Sequence, residues 1–202
     1  VRGLRMADGH EIDCACVISD AGAANTFGRL LPAEVSRQHG YDGLLSQVKP
    51  SVGHLGVYIG LRGTAAELGL PKTNYWIYPG NDSDAALDRY LADPSSEFPV
   101  VYLSFPSAKD PDFERRHPGK ATIEIVAPVP YEPFAAWAGK TWGKRGEDYE
   151  AHKEAYGERL LAQLFDKVPQ ARRHIDYWEV STPLSMQWFC GWQRGELYGR
   201  DH

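Results

Sequence analysis

The sequence predicts an α+β fold: a mixed, mainly antiparallel sheet with flanking helices. Three observations predict it. Ser51–Arg62 alternates strictly, with Leu55, Val57, Ile59 and Leu61 on one face and His54, Gly56, Tyr58 and Gly60 on the other, which is the period of a strand. Glu147–Phe165 sets Tyr149, Tyr156, Leu160, Leu161, Leu164 and Phe165 at helical spacing. Strands and helices also follow one another without the regular alternation of a βαβ protein.

The remaining elements follow in order. Val1–Met6 and Glu11–Ser19 read as two strands of an edge hairpin, joined through Ala7-Asp8-Gly9-His10; Asp-Gly between apolar runs is a hairpin signal. Asp20-Ala21-Gly22-Ala23 turns the chain, and Thr26–Leu31 reads as a helical turn. A helix over Pro32–His39 carries Pro32 near its first turn. Gly40 and Gly43 punctuate the path to Leu44–Val48. Beyond the long strand, Thr64–Leu68 reads as a helical turn ended by Gly69 and Pro71. Asn74–Tyr78 is a strand. Ser83–Ala92 is a helix with Ser83 as N-cap and Leu87, Tyr90 and Leu91 on its apolar stripe. Val100–Phe105 is a continuous apolar strand of the buried kind. Ala121–Ala127 and His174–Val180 are strands, and Pro133–Ala138 is a helical turn.

Composition bounds the function. The 202 residues suffice for one large domain or two small ones with a real core. A net charge of -5 without a long basic run argues against nucleic acid as a partner. The longest apolar stretches, such as Leu55–Leu61 and Val100–Phe105, are too short to span a bilayer. Three cysteines make no disulfide framework. Cys14 and Cys16 share a strand face, and small buried thiols in a reducing compartment are favoured over a metal site with His10 and Cys190. Aromatic residues reach 12%, with six Trp and 11 Tyr, enough to line an apolar cleft or to fill a core.

No catalytic constellation stands out. There is no G-x-S-x-G, H-E-x-x-H, P-loop or C-x-x-C. Gly53, Gly56, Gly60 and Gly63 do not match the dinucleotide fingerprint, and small residues on one strand face instead let backbone or ligand pack close. Glu150, His152 and Glu154 read as a solvated helix face rather than an acid/base group. Lys144-Arg145 can meet an anion or stand in solvent. Lys109-Asp110-Pro111-Asp112 is turn chemistry. No catalytic residue and no metal ligand set is assigned.

Particular segments do carry a resemblance. Asp20-Ala21-Gly22-Ala23-Ala24-Asn25-Thr26-Phe27 with Leu30-Leu31-Pro32 resembles the hinge of the carotenoid and retinoid oxidoreductases. Tyr58-Ile59-Gly60-Leu61-Arg62-Gly63-Thr64 and Leu70-Pro71-Lys72-Thr73-Asn74-Tyr75 resemble the retinol saturase branch of that family. So do Phe105-Pro106-Ser107-Ala108-Lys109-Asp110-Pro111, Pro118-Gly119-Lys120-Ala121-Thr122, Lys144-Arg145-Gly146-Glu147-Asp148-Tyr149-Glu150 and Ser181-Thr182-Pro183-Leu184. Gly195, Tyr198-Gly199 and Asp201-His202 close the match, in order and over nearly the whole chain.

The resemblance implies a retinol saturase-like or phytoene dehydrogenase-related flavoprotein. In such an enzyme FAD sits in a Rossmann-type domain, and an inserted, GDI-like substrate domain holds a conjugated retinoid or carotenoid that is saturated, desaturated or isomerised. Residues 1–28 are then a remnant of the FAD-binding domain, hairpin and hinge, and residues 29–202 the substrate-binding domain. The chain reads as a fragment, with the G-x-G-x-x-G upstream of Val1 and the second flavin segment downstream of His202, so these residues are not expected to bind FAD by themselves. The implied substrate wall comprises Tyr58, Tyr102, Phe105, Trp188 and Phe189, and the flavin-adjacent positions are Ser19, Gly22, Gly195, Tyr198 and Gly199. Implied partners are an apolar polyene, the missing FAD-binding domain, a second copy of the chain and a membrane surface, with a cytoplasmic or peripheral-membrane location. A non-catalytic lipid- or prenyl-binding module of the same fold is the alternative.

Overall fold

The computed structural model describes residues 2–200, in two compact units. The first takes residues 2–49 with 199–200, and the second takes Pro50–Tyr198.

The first unit opens on a two-stranded antiparallel hairpin, β1 (Gly3–Arg5) and β2 (Glu11–Asp13), with Leu4 opposite Ile12. Gly9 takes a φ of 88° at the turn, and the Asp8 carboxylate accepts the His10 N–H, as Asp-Gly requires. The hairpin is a sheet of its own. Its second strand ends at Asp13 and does not run to Ser19, because past Cys14 the backbone has no strand to pair with. Cys14 is half-buried, and Cys16 and Cys190 are exposed, which corrects the reading of all three as buried thiols. Next come α1 (Ala23–Asn25), a π turn (Thr26–Leu30), α2 (Ala33–Gln38) and α3 (Tyr41–Gln47). Helix α3 forms despite Gly43, and Gly40 in the left-handed region sets its start. Ser36 is the only fully buried residue among those described in this unit, whereas Leu4, Met6, Ile12 and Leu44 face solvent.

The second unit holds the core. Its antiparallel sheet has the order β4-β5-β6-β3-β7, from β3 (Gly53–Arg62), β4 (Tyr75–Ile77), β5 (Val101–Ser104), β6 (Lys120–Val129) and β7 (Ile175–Ser181). The observed architecture is thus the mixed α/β fold with a mainly antiparallel sheet that the patterning predicts. β3 is an inner strand, pairing with β6 along its whole length and with the edge strand β7 on its other side. Leu55, Val57, Ile59 and Leu61 are at most 2% exposed and share one face with Ile123, Ile125 and Leu103. That face is covered by α4 (Ser83–Ala92) and α7 (Glu147–Lys167), through Tyr90, Leu160 and Leu164.

Two short helices, α5 (Pro106–Lys109) and α6 (Phe113–Arg116), connect β5 to β6. Helix α8 (Pro183–Cys190) follows β7 and starts in a capping box between Thr182 and Ser185, with Pro183 in its first turn. The cap of α4 is Asp82, whose carboxylate accepts the Ala85 N–H, so the helix starts at Ser83, one residue earlier than the expected Ser83 cap would set. Its buried stripe is Ala86 and Tyr90, while Leu87 and Leu91 are exposed. Thr64–Leu68 closes reciprocal Thr64–Glu67 hydrogen bonds like a helix start, yet Gly69 ends it as a turn.

Candidate functional site

The face of the sheet opposite the core is open, and its cross-strand register builds the site. Trp76 lies opposite Tyr102, Tyr102 opposite Val126, Val126 opposite Gly56, and Gly56 opposite Ser181. Directly opposed residues project to the same side, so these five form one row across the whole sheet. The Trp76 and Tyr102 rings meet at 4.7 Å, and Trp76 remains 60% exposed. The next row runs Ser104, Glu124, Tyr58, Glu179. Tyr58 leans back over Gly56, so that its ring roofs the point where no side chain stands. The face therefore offers aromatic surface at one edge, half-buried Val126 beside it, and an aromatic wall at Tyr58 whose ring covers buried Gly56.

Partial burial raises the Tyr58 phenol above the usual tyrosine value, helped by the negative fields of Glu124, Glu179 and Cys190. Tyr58 is therefore a neutral hydrogen-bond donor across the physiological range. Tyr177 donates to Glu179 at 2.8 Å. Cys190, the last residue of α8, is near enough to act on Tyr58, so α8 ends beside this face. Trp188 and Phe189 are exposed there, with Phe189 edge-on to Trp142 at 5.3 Å.

Of the residues the sequence marks as a substrate wall, Tyr58 and Tyr102 stand on the open face, and Trp188 and Phe189 stand at the end of α8. Phe105 does not join them. It is fully buried, edge-on to Tyr75 at 5.5 Å, because strand alternation sets it on the core face with Val101 and Leu103, opposite to Tyr102. Two exposed aromatics were missed, Trp76 and Tyr177. Alternation in Tyr75-Trp76-Ile77 and around Tyr177 carried the signal, but only pairing order puts short edge strands beside Tyr102 and Tyr58. Among the flavin-adjacent positions, Ser19 shares a 2.6 Å hydroxyl–hydroxyl hydrogen bond with Thr26, and Gly22 and Gly199 have positive φ, all in the first unit. In the second unit Tyr198 is exposed, and a Cβ on Gly195 would lie 2.3 Å from the Pro183 carbonyl oxygen.

Two polar readings change. His152 is not on a solvated face: its ring sits among Phe134, Trp137 and Tyr156 at 5.2–5.3 Å, because this side of α7 faces the 3₁₀ turn Glu132–Trp137. Arg145 is buried, not a solvated loop charge, and donates to the Leu184 carbonyl at 3.1 Å. Among the described residues no group of three His, Cys, Asp or Glu side chains is placed to hold a metal ion, and no helix is long and apolar enough to cross a membrane.

The described residues do not fit a dinucleotide cofactor. Every strand pairing among them is antiparallel, so there is no parallel strand–turn–helix unit whose glycines and helix N-terminus would hold a pyrophosphate.

Comparison with known proteins gives the sequence relationship. The chain is 38% identical over 207 aligned residues to human all-trans-retinol 13,14-reductase, a match that takes in 99% of this chain and 34% of that protein. The chain is similar to the all-trans-retinol 13,14-reductases along its whole length. It spans about a third of the length of these curated relatives. A zebrafish protein named inactive all-trans-retinol 13,14-reductase is 33% identical over 87% of this chain and 30% of its own length. A neurosporene-forming phytoene desaturase of Rhodobacter capsulatus is 28% identical over 83% of this chain and 31% of its own length. No family model matches the chain. The retinoid and carotenoid oxidoreductase resemblance carried by the motifs is thus matched by whole-chain similarity.

Proposed function

We propose that the sheet unit is the substrate-holding part of an FAD-dependent oxidoreductase, and that its open face receives a conjugated isoprenoid, a retinoid or a carotenoid. One observation carries this reading: in a chain similar throughout to retinol 13,14-reductases, the sheet face away from the core carries exposed Trp76, Tyr58 and Tyr177 with half-buried Tyr102. A polyene needs flat apolar walls and few polar contacts, which Trp76, Tyr102, Val126 and Tyr58 offer. In this reading FAD, held by residues other than those described, exchanges hydride with the polyene, and this chain's part is to orient the chain of double bonds. The first unit's exposed Leu4, Met6, Ile12 and Leu44 support a role for that unit as an edge of the flavin-binding part, since a two-stranded hairpin is marginal alone.

The test uses the chain within its full-length polypeptide, reduced anaerobically and mixed with all-trans-retinol and, separately, a carotenoid. The polyene band should shift to the blue as flavin is reoxidised. If neither polyene reoxidises the flavin, and the oxidised protein neither desaturates nor isomerises one, the oxidoreductase reading fails. A second reading, a non-catalytic lipid- or prenyl-binding module, draws on the similarity to a relative whose name says inactive; it predicts polyene binding without turnover.

A further inference from the structure

Arg145 is a buried cation without a counterion. It is only 5% exposed, and no carboxylate among the described residues lies within salt-bridge distance of it. One guanidinium nitrogen donates to the Leu184 carbonyl, the plane sits 5.1 Å from the Tyr149 ring, and Nε is buried with no hydrogen-bond partner. A buried guanidinium normally finds a carboxylate or phosphate, because desolvating it unpaired is costly. Of the acidic side chains nearby, Glu147, Glu150 and Glu154 line a second recess that Arg145 also borders, none of them within salt-bridge distance of it, and two have other partners. Asp148 accepts from Trp137 Nε1, and Glu150 pairs with Lys153.

The same arginine lines a recess of about 240 Å³ between the loop after the 3₁₀ turn and α8. Its polar walls are Lys140, Thr141, Arg145 and Gln187; its apolar walls include Leu184 and Trp188, and no Asp or Glu lines it. Lys140 Nζ donates to the Arg145 carbonyl oxygen at 3.0 Å, which keeps a second cation at the rim.

We propose that this recess binds the carboxylate head of an amphipathic apolar chain, with Arg145 and Lys140 as the charge partners and the tail leaving past Trp188. The recess has room for a head group and a few carbons, and the exposed Trp188 and Phe189 continue it as an apolar path at the end of α8. The proposal rests on the polyene reading and adds a chemical class to it: an isoprenoid acid is preferred over the corresponding alcohol.

The experiment titrates the chain with all-trans-retinoate, all-trans-retinol and dodecanoate, the retinoids by tryptophan-to-retinoid energy transfer and dodecanoate by calorimetry. Retinoate should bind about tenfold more tightly than retinol, since only the carboxylate gains the charge-assisted hydrogen bonds. Arg145→Gln and Lys140→Gln should each pull that ratio toward one by weakening retinoate more than retinol. Lys140 lies at the rim, so its variant remains informative if Arg145→Gln fails to fold. Equal affinity for retinoate and retinol, or a ratio unmoved in Lys140→Gln, overturns the recess and leaves the polyene face standing. Binding of dodecanoate in an Arg145- and Lys140-dependent manner without retinoid binding keeps the recess and removes the polyene reading. Binding of none of the three removes both.

Discussion

The Tyr58 hydroxyl lies 3.0 Å from the point a Cβ on Gly56 would occupy, so the wall of the open face rests on the absence of a side chain two residues earlier. Gly56→Ala must push the Tyr58 ring outward, and the move is cheap because the ring is the far end of a flexible side chain. Although Gly56 is buried, the fold should tolerate the change within ~1 kcal/mol, the cost of moving one flexible side chain off its rotamer. The displaced Tyr58 ring reshapes the wall, however, and retinol binding read by tryptophan energy transfer should weaken several-fold. Tyr58→Ala should weaken it as well by removing the wall. Unchanged affinity in both variants would place the polyene elsewhere.

Ser107 stands in for a strand. Its hydroxyl accepts the Thr122 N–H at 2.9 Å and donates to the Thr122 carbonyl at 3.2 Å, beyond the point where β5 stops pairing with β6. Ser107→Ala leaves both backbone groups unpaired beside a buried position. The expected cost is about 1–3 kcal/mol, read as a lower urea midpoint with an unchanged slope.

Gly157 lets α7 lie against β7. A Cβ there would approach Trp178 and Val180 side-chain carbons to 2.5 and 2.6 Å. In an exposed helix Gly→Ala stabilises by about 1 kcal/mol. Here overpacking opposes that gain at about 1–3 kcal/mol, and the net effect should be destabilising. A raised urea midpoint for Gly157→Ala would mean that the helix and strand can part at no cost.

Stability should fall on both sides of a neutral plateau. Burial lowers the His54 pKa below 6.5, so below that pH the unfolded chain takes up a proton that the folded chain refuses. Stability present above pH 6.5 is therefore lost as pH falls toward the folded value. Burial raises the Tyr90 pKa far above 10.0, so above that pH the unfolded chain releases a proton that the folded chain keeps, and stability falls as pH rises. His54→Leu should flatten the acid limb in urea midpoints measured against pH, and Tyr90→Phe the alkaline limb. The Tyr90 hydroxyl has no partner, so Tyr90→Phe should cost little at neutral pH.

Local periodicity made much of this fold legible. The alternation of Leu55 to Leu61 identified the long inner strand β3, and the spacing from Tyr149 to Leu164 identified the longest helix, because burial repeats along the chain at the period of the backbone. Asp8-Gly9 located the hairpin, since its turn chemistry is local. The resemblance, too, was readable in the sequence, in segments such as Tyr58–Thr64 and Lys144–Glu150.

Only the tertiary structure decided what depends on partners distant in sequence. Trp76 and Tyr102 are 26 residues apart, and their pairing follows from strand order, which alternation along one strand cannot encode. Phe105, by contrast, is core by the alternation of Val101, Leu103 and Phe105, a signal already present in the sequence. Arg145 reads as a loop charge until α8, some forty residues later, closes over it and supplies the Leu184 carbonyl. The sequence determines which faces are apolar. Whether an apolar or charged side chain is covered depends on what the rest of the chain packs against it, and that is a property of the assembled sheet and helices alone.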